Sequence, residues 1–95
     1  MADDVYLENK YTNISSQTTT DVYDGSCILH SITINKSVAA TITVYDEATG
    51  GSTTVIATIA ASVAAGTLIY DVTCSKGIQI VTAGASDITV SWRKA

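Results

Sequence analysis

Six glycines, at positions 25, 50, 51, 66, 77 and 84, cut the chain into runs in which apolar and polar residues alternate. A period of two is the pattern of a strand with one buried and one solvated face. The residues that fill these runs are of the matching kind. Val, Ile and Thr make up 35 of the 95 residues, and branching at Cβ makes them stiff at χ1 and suited to a pleated surface. Leucine stands only at 7, 29 and 68, and glutamate only at 8 and 47, too little of either for a helical chain. The reading is all-β, in a single domain. A chain of this length buries only about 60–65% of its unfolded surface, so its core is modest or a partner subunit helps.

The alternation assigns faces. Cys27 to Asn35 sets Ile28, His30, Ile32 and Ile34 against Leu29, Ser31 and Thr33. Val38 to Asp46 sets Val38, Ala40, Ile42 and Val44 inward, with Ala39, Thr41, Thr43 and Tyr45 outward. The short Asn35-Lys36-Ser37 connection predicts that these two strands pair as a hairpin. Asp46 to Ser52 reads as a loop around its paired glycines. Thr53 to Ile59 follows, with Val55, Ala57 and Ile59 opposite Thr54, Ile56 and Thr58. The alanine-rich 60–66 stretch has room for one helical turn and no self-supporting helix. Leu68, Tyr70 and Val72 share a face of Thr67 to Thr73, and Ser75-Lys76-Gly77 turns the chain into Ile78 to Thr82. The last strand, Asp87 to Arg93, turns Ile88, Val90 and Trp92 to the core.

Strands at this spacing, joined by Gly, Ser and Asp turns, predict one antiparallel β-sandwich of about seven or eight strands. It occupies residues 25–95 and is jelly-roll-like or immunoglobulin-like. Residues 1–24 read as an N-terminal arm, because Asn13 to Thr20 is polar and weakly patterned. A short edge strand is expected near 4–8 and another near 18–23. An arm of this kind is ordered by adding to a sheet or lying on a partner.

Charge narrows the function. Five basic and nine acidic side chains leave a net charge of −4, which repels phosphate backbones and disfavours nucleic acid as a partner. No polybasic run is present to hold an anionic membrane. The uncharged stretches 48–70 and 77–86 are broken by Thr, Ser and Gly, so neither reads as a transmembrane helix. The opening Met-Ala-Asp-Asp lacks the basic and apolar regions of a secretory signal. Synthesis in a reducing cytoplasm is therefore expected. Cys27 and Cys74 invite an immunoglobulin-like bridge between sheets, but the single tryptophan, Trp92, lies in the last strand rather than a dozen residues after the first cysteine. Two buried thiols are the preferred reading.

Catalytic parts are scarce. The one histidine, His30, sits in mid-strand and reads as a hydrogen-bonded core or interface imidazole. No nucleophile elbow, zinc-binding His pair, phosphate loop or dinucleotide fingerprint occurs. The expectation is a protein that is not an enzyme, takes no cofactor and has no metal motif; the acids match no EF-hand loop, which leaves calcium only to a cluster formed in space. Asp46-Glu47 and Asp24 flank turns, where a short carboxylate accepts backbone N–H bonds. Asn13-Ile14-Ser15 and Asn35-Lys36-Ser37 are formal glycosylation sequons, which mean little without a secretory route and arise by chance in a Thr/Ser-rich chain. Tyr6, Tyr11, Tyr23, Tyr45, Tyr70 and Trp92 are scattered through the chain, which favours packing over a sugar-stacking platform. The strands also lack the lysines that blunt sheet edges, so a symmetric oligomer or a larger lattice is expected to cover them.

Thr41-Ile42-Thr43-Val44-Tyr45-Asp46, then Val55-Ile56-Ala57-Thr58-Ile59, then Gly66-Thr67 with Tyr70-Asp71-Val72, resembles small structural proteins of tailed-phage virions. The ending strengthens the likeness, in Lys76-Gly77-Ile78-Gln79-Ile80-Val81-Thr82 and Ala85-Ser86-Asp87-Ile88-Thr89-Val90-Ser91-Trp92. The resemblance covers about residues 25–92 and rests on strand and turn patterns. It implies a β-sandwich or jelly-roll module that decorates the outer capsid surface or forms a head-fibre or tail part, often as a trimer. The expected role is a capsid decoration or cement protein, bound to copies of itself and to the major capsid protein or another virion protein. Val5, Tyr6, Leu7 and Tyr11 of the arm are the expected contact residues. The alternative is a carbohydrate-binding or adhesin-like module, which needs two or more aromatic side chains gathered on one face.

Overall fold

The computed structural model describes residues 9–48 and 54–95. Eight strands follow one another: β1 (Lys10–Ile14), β2 (Thr18–Asp24), β3 (Cys27–Lys36), β4 (Ile42–Tyr45), β5 (Val55–Ile59), β6 (Gly66–Cys74), β7 (Gly77–Thr82) and β8 (Asp87–Lys94). They form two antiparallel four-stranded sheets, ordered β1-β8-β3-β6 and β2-β7-β4-β5, which pack together as a β-sandwich.

One rule generates this order. Lys10 pairs with Trp92, Thr18 with Thr82, Cys27 with Cys74, Ile34 with Gly66 and Ile42 with Ile59. Partners lie at nearly equal distances before and after Gly50-Gly51. The first half of the chain thus runs beside the second as a single long ribbon. The ribbon folds over itself where residues 15–17 lie beside 83–86, 25–26 beside 75–76, and 37–41 beside 60–65. Successive ribbon segments fall in opposite sheets. The result is a jelly roll rather than an immunoglobulin fold.

The core lies between the sheets. Leu29, Ile32, Ile34, Ile88, Val90 and Trp92 meet Ile42, Val44, Ile59, Ile78 and Ile80, each 7% exposed or less. Full burial of such a side chain stabilises by about 1.5–3 kcal/mol. Alternation assigned the inward faces of β4, β6 and β8 as observed, with Leu68, Tyr70 and Val72 packed on the core though only half-buried.

Four expectations change. The first is the hairpin: β3 and β4 lie in different sheets, and 37–41 crosses between them. The crossing opposes two apolar faces across the core, where a hairpin would set them side by side. The second is the face of β3. Leu29 opposes Trp92 and Ser31 opposes Ser91, leaving His30 as the extra residue of a β-bulge. Cys27 and Leu29 point inward before the bulge, and Ile32 and Ile34 after it. Ile28 and His30 lie on the outer face. A bulge at Ile56 likewise leaves Val55 54% exposed. Third, residues 60–65 make a turn through Ser62 at φ 58°, not a helical turn. Fourth, residues 10–24 supply one strand to each sheet: β2 is the edge strand expected near 18–23, β1 stands where none is expected, and the strand expected near 4–8 lies outside the described residues.

Candidate functional site

The two sheets have four edge strands: β1, β6, β2 and β5. The exposed large hydrophobic side chains among the described residues all stand on them: Tyr11 on β1 (75%), Ile69 on β6 (60%) and Val55 on β5 (54%). Three of the edges are interrupted. β2 carries its extra residue at Val22, β5 at Ile56, and β6 at Tyr70-Asp71, where Asp71 takes φ 49°. Bulges twist an edge away from a would-be partner, so these edges have protection that is not written in lysine or proline. β1 differs. Its five residues pair with β8 without a register shift.

Side-chain bonds hold β1 in place. Asn13 Nδ2 donates to Asp87 Oδ1 at 2.8 Å and to the Ile88 carbonyl at 2.9 Å. From β3 on the other side, Asn35 Nδ2 donates to Asp87 Oδ1 at 3.3 Å and Thr89 Oγ1 at 3.1 Å. Asp87 and Thr89 of β8 are therefore clasped from both flanks. Arg93 Nη1 reaches Asn9 Oδ1 at 3.3 Å, just before β1. The outcome is a regular edge, tied to β8 by side-chain bonds, with one large aromatic side chain standing free. Of the expected contact residues, Tyr11 is this side chain. Val5, Tyr6 and Leu7 lie outside the described residues.

On the same outer face, two bulges meet. The extra residue of β3 is His30, and the left-handed backbone of Asp71 in β6 brings its carboxylate to His30 Nδ1 at 2.5 Å. His30 is thus hydrogen-bonded as expected, but it faces outward, with 32% of its side chain exposed. Periodicity could not show this pairing, since each bulge spends one residue without changing the pattern.

Other expected residues scatter. Trp92 stacks on Tyr23 at 4.6 Å inside one end of the sandwich, Tyr70 packs on the core, and Tyr45 lies on the outer face of the second sheet, opposite Val55 and Gln79. Among the described residues no aromatic platform is assembled. No group of three His, Cys, Asp or Glu side chains there could hold a metal ion.

Asp46 does what turn chemistry predicts. Its Oδ1 accepts from the Lys76 and Gly77 amides at 2.9 and 3.3 Å, and its Oδ2 from the Ser75 amide and hydroxyl at 3.1 and 3.4 Å. Burial pushes the carboxyl pKa up, but these donors outweigh it and hold the group below its ordinary value. Glu47, buried beside it, accepts from the Thr54 amide at 2.9 Å and lies 3.8 Å from Lys76 Nζ. The end of β4 is thereby locked to the β6–β7 turn.

No family model, curated protein or solved structure matches this chain.

Proposed function

We propose that the chain is a non-enzymatic virion structural protein. It decorates the outer surface of a tailed-phage capsid as a homotrimer and binds the major capsid protein through its N-terminal residues and the β1 edge. The observation that carries this reading is Tyr11, 75% exposed on the one regular edge strand while the other three edges are bulged. An open edge accepts a partner strand through main-chain hydrogen bonds, and alternate side chains give it specificity. A free aromatic side chain on such an edge is a natural anchor. Jelly rolls recur in viral shells and in lectins, a fold-level analogy that supports the virion reading. The sugar-binding alternative gains nothing from one isolated tyrosine.

The test separates attachment from folding. Removing residues 1–12 would cut into β1, so the informative variants are deletion of residues 1–8 and Tyr11→Ala. The wild type is expected to run as a trimer by size exclusion with light scattering and to cosediment with empty capsid shells. Both variants are expected to keep the native circular dichroism spectrum and lose cosedimentation. Undiminished attachment of both variants, or a monomer that ignores shells, would overturn the reading.

A further inference from the structure

The ribbon brings together the chain's two cysteines, which the edge does not use. Cys27 opens β3, Cys74 closes β6, and the two are direct partners across the ladder. Direct partners on antiparallel strands have Cα atoms roughly 4.5 or 5.5 Å apart and side chains on one face. That separation lies inside the range of roughly 4.4–6.8 Å that a disulfide spans. Both side chains point into the core at 0% exposure, and both are free thiols. We propose that Cys27 and Cys74 are a latent cross-strand disulfide, closed by thiol–disulfide exchange when the chain meets an oxidising medium. The inference rests on strand register and not on the virion reading.

The exchange is ordered by position. Cys74 ends an edge strand and precedes the 75–76 turn, so its sulfur is reached first when that end of β6 opens. The Cys74 thiolate attacks a small external disulfide such as oxidised glutathione. The external S–S bond breaks, one glutathione leaves as a thiolate, and the other stays on Cys74. Cys27, its proton lost to solvent, then attacks the Cys74 sulfur. The Cys27–Cys74 bond forms and the second glutathione leaves. Two protein thiols are oxidised, and one external disulfide is reduced to two thiols.

The closed fold restrains this chemistry. Burial first, and then the neighbouring thiol, pushes Cys27 up to about 12, and burial also raises Cys74. Thiolate is scarce at neutral pH in such surroundings. The Asp46 clamp on the amides of Ser75, Lys76 and Gly77 holds shut the turn that must open. Once made, the bond closes the whole 28–73 stretch, which holds the rest of β3, β4, β5 and nearly all of β6.

The full chain, purified under reductant, is incubated with oxidised glutathione in two forms: native, and refolding from urea. Each is then alkylated in denaturant and weighed. The expected species in either form has lost two hydrogens, takes no alkyl label and carries no glutathione. Its Tm should rise by roughly 10 °C or more, since the bond closes a long loop, and reductant should reverse the rise. Cys74→Ala should show no oxidant-dependent rise. Two labelled thiols in both forms, glutathione retained on separate cysteines, disulfide-linked dimers, or a bond that lowers Tm would each overturn the proposal.

Discussion

At Gly77 a side chain has nowhere to go. A Cβ there would overlap the Tyr23 carbonyl oxygen and lie 2.8 Å from that of Glu47, and φ is +153°. Both obstacles are backbone, which cannot swing aside as a side-chain tip would. Gly77→Ala is therefore expected to cost about 2–4 kcal/mol, read from the urea midpoint. Asp46, whose carboxylate clamps the same turn, acts through charge. Asp46→Asn weakens a set of charge-assisted bonds and should cost about 1–3 kcal/mol near neutral pH. Because the folded carboxyl takes up its proton at lower pH than the unfolded one, its contribution is complete above about pH 5. It is lost as acid titrates the folded form. The stability gap between wild type and Asp46→Asn should thus narrow from pH 7 towards pH 3. A gap that stays constant would remove the carboxylate from the account. The same variant should also speed alkylation of the two thiols, because a looser turn exposes Cys74 more often.

Bulges are the element-scale device of this molecule. In β2 the extra residue is Val22, between Asp21 opposite Gln79 and Tyr23 opposite Ile78. Deleting Val22 keeps every other pair in register, with Asp21 outward and Tyr23 inward, and turns a kinked edge into a regular one. The variant should lose about 1–2 kcal/mol of Val22 packing yet stay folded, and it should self-associate more strongly than wild type by light scattering. Unchanged association would show that the bulge does not guard the edge. Bulges also mark where sequence reasoning stopped. Ile42 and Val44, or Ile88, Val90 and Trp92, sit where strict alternation puts them. Ile28 and Val55 do not, because His30 and Ile56 each consume a residue without any change in residue type. β1 escaped notice because Asn13 earns its place through hydrogen bonds to Asp87 and Ile88, which leave no period in the sequence. The hairpin error has the same root: Asn35-Lys36-Ser37 reads alike whether the next strand lies beside β3 or across the core.

For the whole molecule, the cysteines show what one topological rule would have added. Cys27 and Cys74 stand equally far from Gly50-Gly51, so a chain read as one folded ribbon brings them face to face. Alternation cannot show this, since it reports faces and not partners. The ribbon also orders stability. Tyr45 and Val55 are paired across a short connection, whereas Lys10 and Trp92 close nearly the full chain. Loop closure costs more with length, so each rung further from the tip pays more entropy before its contacts return any. β1 closes the longest loops, is an edge, and buries only Ile14 fully. Its amides should therefore exchange through the smallest opening of the native state, while those of the central strands β3 and β7 wait for openings close to global unfolding. Closing the Cys27–Cys74 bond changes only part of this order. It restrains the open states in which β3, β4, β5 and β6 come apart, and leaves unchanged the native-state opening in which β1 alone leaves β8. Hydrogen exchange on the oxidised chain should accordingly show slower exchange within β3, β4, β5 and β6, with β1 unaltered. Equal slowing in β1 would mean that the ribbon opens as one unit rather than from its outer end.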